Sequence, residues 1–264
     1  MTDPRLKERR AEVFPYHYEP KKRLVHIVVR ISNEPGSLGA ILDLLAHKVD
    51  LVGTSTYLTP EGSAVFSGFA AVLDKGESVE KLREMLMSSS RAIDAYVAEG
   101  SEGMLVDSFH TGIRIADQAY MRFRREGLSK VFDRVVELFG TGGDTLIHSE
   151  GVTLGKDNAK GIIKLVGADM AVKKTEDLRL VLRAMGWGHI TVPELDEDVR
   201  GVVQVADCFE CCSGSKVRGG CHFFRGYLEG YASTLYGLDL TSEETRCTLR
   251  DEQVCEFVIK PREP

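Results

Sequence analysis

The residues with the most chemistry in them are six cysteines, all of which lie beyond Asp207. Cys208, Cys211 and Cys212 form a tight run followed by Cys221, and a C-x-x-C spacing can hold zinc or an iron–sulfur cluster. A second set is Cys221, Glu244, Cys247 and Cys255. There Glu244-Thr245-Arg246-Cys247 places a carboxylate and a thiolate three residues apart, and Cys255 returns across a hairpin. Three thiolates and one carboxylate satisfy a tetrahedral ion and leave no open position for water, so a metal held this way is structural. Residue types leave both sets open, because each contains Cys221. A disulfide framework is the competing reading. The charged stretch Met1 to Arg10 does not read as a signal peptide, however, so a cytoplasmic, reducing setting is expected, and metal or redox chemistry with it.

A different chemistry attaches to Asn33-Glu34-Pro35-Gly36-Ser37-Leu38-Gly39. It joins a strand to a helix, where backbone N–H groups and the positive end of the helix dipole suit an anion, or one end of a zwitterion. The plainer role is a tight turn capped by Asn33 or Ser37. In Gly186-Trp187-Gly188-His189-Ile190, Trp187 offers a flat apolar wall and His189 a hydrogen bond to a bound molecule, although core and surface positions explain both equally well. No phosphate loop is supported: Gly140-Thr141-Gly142-Gly143 lacks the following Lys-Ser/Thr, and Gly155-Lys156 runs into Asp157. No Gly-x-Gly-x-x-Gly follows a strand, and no Ser/His/Asp or paired-carboxylate set falls in a plausible order, so no catalytic residues are assigned.

The elements that position these groups follow from periodicity. Leu24–Ile31 reads as a strand, Ser37–His47 as a helix with Leu38, Ile41, Leu42 and Leu45 on one face, and Asp50–Leu58 and Ala64–Leu73 as a hairpin around Thr59–Ser63. A helix over Ser78–Ser88 and a strand over Arg91–Val97 complete β-α-β-β-α-β, the ferredoxin-like arrangement. Glu99–Gly103 marks a boundary. Beyond it the pattern predicts a long helix over Ile115–Phe139, a second over Asp144–Val166 with Asp144 as N-cap and weakened by Gly151, Gly155 and Gly161, and a third over Thr175–Ala184. Strands at Gly188–Val192 and Val199–Ala206 flank an acidic turn. A helix over Ser215–Tyr236 and a hairpin of Leu238–Leu249 with Val254–Ile259 close the chain. The fold class is α+β: residues 1–22 are a lead-in, 23–100 a ferredoxin-like domain and 104–264 a mixed α+β domain. With 34 basic against 40 acidic residues the net charge is −6, which argues against a whole-chain nucleic-acid or anionic-membrane footprint, and no apolar run is long enough for a membrane span.

Two resemblances sharpen these expectations. Asn33-Glu34-Pro35-Gly36-Ser37-Leu38-Gly39 between the first strand and first helix of a β-α-β-β-α-β unit resembles the ACT domain family over residues 23 to about 100. Asn33 stands where most members carry Asp. The resemblance implies a dimerisation module whose loop, Asn33, Glu34, Gly36, Ser37 and Leu38, contacts an amino acid. The stretch from Cys221 to Gly230, then Gly237, Glu243 to Cys247 and Cys255-Glu256-Phe257, resembles the four-vinyl-reductase domain, which also forms the sensor module of phenol- and xylene-responsive activators. That resemblance implies a structural zinc on Cys221, Glu244, Cys247 and Cys255, and an apolar pocket for a small aromatic effector, with Trp187 and His189 as candidates for its wall. Cys208, Cys211 and Cys212 are then left for a redox role or a second metal.

The expected protein is therefore a cytoplasmic, homodimeric ligand sensor acting through a protein partner, similar to two-domain regulatory proteins of archaea. The competing expectations are an enzyme or accessory of tetrapyrrole or aromatic metabolism, and a redox-responsive iron–sulfur protein.

Overall fold

Residues 24 to 31 alternate between two buried faces, and the first half of the chain is organised around them. In the computed structural model, which describes residues 15–263 apart from 75, 116–117, 174 and 196–198, the chain divides into two compact units meeting between Met121 and Arg122. The first fourteen residues of the lead-in and part of the acidic turn lie outside the described residues.

The first unit contains β1 (Tyr16–Tyr18), β2 (Leu24–Ile31), α1 (Ser37–Leu45), β3 (Val49–Leu58), β4 (Ala64–Val72), α2 (Val79–Met87), β5 (Ala92–Glu99), β6 (Met104–Val106), β7 (Ile113–Ile115) and β8 (Gln118–Tyr120). Its antiparallel sheet has the order β3-β4-β2-β5, the ferredoxin-like arrangement that the split β-α-β pattern predicts. Val25, Ile27, Val29 and Ile31 pack on Ile41 and Leu45 of α1 and Leu82 and Leu86 of α2, forming one core. On the opposite face Leu24, Phe69 and Ala71 are covered by Leu105. That cover exists because β6 pairs with β1, with Tyr16 opposite Val106. The segment expected to be a linker and part of the lead-in therefore belong to this unit. Ile113–Ile115 and Gln118–Tyr120 pair as strands rather than opening a long helix, since helical spacing of apolar residues begins only at Leu128.

The second unit contains α3 (Arg125–Phe139), α4 (Thr141–Val166), α5 (Ala168–Lys173), α6 (Thr175–Ala184), β9 (His189–Leu195), β10 (Gly201–Ala206), α7 (His222–Tyr236), β11 (Leu240–Arg246) and β12 (Cys255–Pro261). Its antiparallel sheet runs β11-β12-β10-β9, and Pro193 sits on the edge strand β9, where no ladder hydrogen bond is lost. Helix α4 begins at Thr141 with Gly140 before it, not at Asp144, and its glycines are not weaknesses. A Cβ at Gly151 would overlap the Phe223 carbonyl and one at Gly155 that of Tyr227. Cβ atoms at Gly226 and Gly230 would overlap the carbonyls of His148 and Val152. Paired Gly-x-x-x-Gly faces let the two backbones touch, and this packing outweighs the propensity cost of each glycine. Helix α7 starts at His222, seven residues later than the spacing predicts, because 213–220 is a loop with Gly214 and Gly219 at positive φ.

Candidate metal centre and apolar cavity

Strand ends of the second unit converge with the start of α7. Strands β10, β12 and β11 are neighbours, with Val205 opposite Cys255 and Arg246 opposite Glu256, so Cys208 just after β10, Cys255 opening β12 and Cys247 just after β11 come out side by side. A turn of 3-10 helix, Phe209–Cys211, brings in Cys211, and Cys221 precedes α7. The Cys221 Sγ lies 3.0 Å from that of Cys211, 3.7 Å from Cys247, 3.6 Å from Cys255 and 3.9 Å from Cys208. Cys211 is 3.8 Å from Cys247 and 3.5 Å from Cys255, and Cys247 is 3.9 Å from Cys255. The sulfurs of Cys211, Cys221, Cys247 and Cys255 outline a tetrahedron with edges of 3.0–3.9 Å. A tetrahedral ion with metal–sulfur bonds of about 2.3 Å requires edges of about 3.8 Å.

The cluster can hold a metal ion, through Cys208, Cys211, Cys221 and Cys255 or through Cys221, Glu244, Cys247 and Cys255. Both carboxylate oxygens of Glu244 accept from the Cys221 N–H, at 3.0 and 3.2 Å, and Arg250 Nη2 stands 3.4 Å from Oε2. Burial raises the Glu244 carboxyl above its ordinary pKa, against the pull of that N–H. Cys212 turns away, its thiol donating to the Phe209 carbonyl at 2.9 Å.

The loop carrying these thiols is fixed by a buried network that sequence inspection missed. Arg218, 4% exposed, donates to Asp133 Oδ1 at 2.7 Å, to Glu210 Oε1 at 3.0 Å and to Ser129 Oγ at 2.9 Å. Glu210, fully buried, accepts the N–H groups of Phe223 and Phe224 and so caps α7. Burial pushes its carboxyl up to about 7, with Arg218 and those two N–H groups pulling the other way. The available signal was Glu210 inside the cysteine run with a lone Arg218 before Cys221.

Between α7, α6 and the sheet lies an apolar cavity of about 80 Å³, lined by Leu182, Ile190, Val203, Tyr227, Tyr231 and Ala232 among others. At about 10–15 Å³ per water-sized probe this is room for a single-ring molecule. Asn158 Nδ2 donates to the Tyr227 hydroxyl at 3.3 Å, and burial raises the Tyr231 hydroxyl pKa. Trp187 is one ring behind the wall, 4.7 Å from Tyr227 and 5.2 Å from Phe209 between ring centres. His189 is exposed on β9, while the next residue, Ile190, faces the cavity. Neither Trp187 nor His189 is part of the lining.

In the first unit, Asn33, Glu34, Ser37 and Leu38 line a pocket of about 290 Å³ together with Thr56, Tyr57 and Leu58. Gly36 precedes α1 at φ +85°, a conformation that favours glycine, and no side chain caps the helix: Ser37 Oγ meets Ser32 Oγ at 2.9 Å instead. Glu34 is held by an ion pair with Arg91. No helix among the described residues is long and apolar enough to cross a membrane.

No curated protein matches the chain in sequence. Among solved structures, the phenol-responsive sensory domain of the transcription activator PoxR with phenol aligns over 56% of this chain and 79% of its own, at 18% identity and TM-score 0.49. A vinyl-4-reductase family protein from Methanocaldococcus jannaschii aligns over 55% and 85%, at 16% identity and TM-score 0.34. A trafficking protein particle complex subunit 3 from Naegleria fowleri, covalently bound to palmitic acid, aligns over 53% and 95%, at 10% identity and TM-score 0.41. The specific finding is in the sequence: residues 202–261, which carry every cysteine of the cluster, match the vinyl-4-reductase domain.

Proposed function

We propose that the chain is a ligand-sensing regulatory protein in which the second unit binds a small apolar or aromatic effector and a structural zinc ion holds that unit's binding end together. The observation that carries this reading is the cavity: an almost wholly apolar space of about 80 Å³, bounded by the helix that starts at Cys221 and by the sheet that ends at Cys255. A metal joining Cys221, Cys247 and Cys255 fixes α7 against β11 and β12, and so fixes the walls of the cavity. The regularity of the sulfur tetrahedron supports Cys211 as the fourth ligand, with Glu244 orienting Cys221 through its N–H. The resemblance supports Glu244 itself. Sulfur separations below 4 Å suit one ion, whereas an iron–sulfur cluster places its thiolates on separate irons and holds them farther apart. Cys208 and Cys212 are left for redox sensitivity.

The first unit takes the ACT-like role of pairing two copies and of receiving an amino acid in the pocket at Asn33, Glu34, Gly36, Ser37 and Leu38. Its edge strand β3 leaves Tyr57 and Leu58 exposed, at 41% and 60%, which supports association through that edge. Residues 1–22, 23–100 and 104–264 serve as lead-in, regulatory domain and effector-binding domain in this reading. The protein is not an enzyme, lies in the cytoplasm and acts through a protein partner.

The test is thermal unfolding of the full chain with phenol, toluene, benzoate and an amino-acid set. A cavity ligand at 100 times its Kd adds about 2.7 kcal/mol to the stability of the second unit. Stabilisation by at least one monocyclic aromatic, abolished by Ala232→Leu, is the expected result. Equal response of the native and Ala232→Leu chains overturns the placement of the site.

A further inference from the structure

The first unit contains a buried cluster that its fold does not need. His26, on the face of β2 turned away from α1 and α2, is wholly buried. Its Nε2 is 3.0 Å from Ser67 Oγ, while Nδ1 has no hydrogen-bond partner. Asp107 Oδ1 stands 3.7 Å from that Nδ1, beyond hydrogen-bond range. Asp107 follows β6, and its Oδ1 accepts the N–H groups of Phe109 and His110 at 3.1 and 2.9 Å, which folds the chain so that His110 Nδ1 reaches Asp107 Oδ2 at 2.9 Å. Tyr57 OH is 2.8 Å from His110 Nε2. Ligand atoms of His26, Asp107 and His110 all lie within 4.8 Å of one another.

We propose that His26, Asp107 and His110 form a binding site for a divalent transition-metal ion, of the zinc, cobalt or nickel kind, separate from the cysteine cluster. Two imidazoles and one carboxylate are a borderline donor set that suits such ions, unlike the all-oxygen shells of magnesium or calcium. A buried nitrogen without a partner is costly, and here it is aimed at a carboxylate and a second imidazole. Ser67 supplies what a metal-binding histidine ordinarily has behind it: its hydroxyl accepts from Nε2–H, which leaves the lone pair on Nδ1. Uptake of the ion displaces the proton shared by His110 Nδ1 and Asp107 Oδ2. His110 and Asp107 are 22% and 23% exposed, so the site opens to solvent on one side and leaves room for water or an exogenous ligand. Ser67, His26 and Asp107 together do not make a hydrolytic set, because Ser67 is 7% exposed and the His26–Asp107 gap is too wide to orient the ring. Tyr57 also lines the pocket at Asn33–Leu38, so an ion at His110 bears on a wall of that pocket.

The experiment adds Co2+ to the full chain already loaded with metal at its thiolates and follows visible absorption and calorimetric stoichiometry. The expected result is one further Co2+ per chain, with ligand-field bands and no sulfur charge-transfer band in the near ultraviolet. His110→Ala and His26→Gln each lower the affinity at least tenfold while the native Tm is kept; His26→Gln retains a donor for Ser67, and His110 is partly exposed. Identical Co2+ uptake by the native chain and both variants overturns the proposal, as does a native chain that takes up no further Co2+.

Discussion

Substituting Gly155 by Ala separates helix propensity from helix packing. An Ala in a helix interior gains about 1 kcal/mol over Gly. At Gly155 the added Cβ overlaps the Tyr227 carbonyl oxygen and comes within 2.8 Å of the Tyr231 nitrogen, both on the backbone of α7, so no side chain can swing aside. Overpacking of this kind costs about 1–3 kcal/mol, and a backbone obstacle places it at or above the top of that range. The net loss is then about 1–2 kcal/mol, a fall in Tm of about 2–8 °C for a unit of this size. Gly127→Ala is the matched control: it is exposed on α3 and its Cβ meets nothing closer than Arg124 Cβ at 3.7 Å, so it gains about 0.5–1 kcal/mol. Thermal unfolding followed by circular dichroism reads both. Since Tyr227 and Tyr231 line the cavity, Gly155→Ala also weakens effector binding. A Gly155→Ala protein as stable as Gly127→Ala would refute the backbone contact between α4 and α7.

The remaining expectations concern other parts of the fold. Arg218→Met leaves Glu210 and Asp133 buried without their cation and costs about 3–5 kcal/mol in urea unfolding, whereas adding Glu210→Gln recovers part of that loss; strictly additive effects would contradict the coupled network. Ala232→Leu fills the cavity, leaves Tm unchanged or raised, and removes the stabilisation given by an aromatic ligand; a large fall in Tm would mean the space is not there. Gly36→Ala forces a side chain into φ +85° and destabilises the first unit by about 1–2 kcal/mol, read as a lower urea midpoint, and an unchanged midpoint would contradict the strained turn.

Much of the framework was legible because local patterns and tertiary needs agree. The alternation in Leu24–Ile31 reflects a strand covered on one face by helices, and Asn33–Leu38 marks its exit turn, which the structure finds at a pocket. What escaped reading depends on contacts between distant residues. Gly151 and Gly155 weaken a helix viewed alone and become its packing face only when Gly226 and Gly230 oppose them. Cys211 and Cys212 are adjacent, and only the 3-10 turn decides that one joins the cluster while the other turns away. Glu210 and Arg218 looked like ordinary surface charges. His26 and Asp107 are brought together by the pairing of β1 with β6, two three-residue strands too short to leave a periodic signal.

The central claim is that one structural ion closes the binding end of the second unit. Elemental analysis of the anaerobically purified His110→Ala chain, in which only thiolate-held metal is counted, tests it most directly. The account predicts about one zinc per chain and no sulfide, kept at full occupancy in Cys212→Ser, lost in Cys221→Ser and Cys247→Ser, and lost in Cys211→Ser but retained in Glu244→Gln. Loss in Glu244→Gln with retention in Cys211→Ser would transfer the fourth position to the carboxylate and leave the structural ion in place. Iron with sulfide, or a chain free of metal that unfolds at the same temperature as Cys221→Ser, would contradict the account.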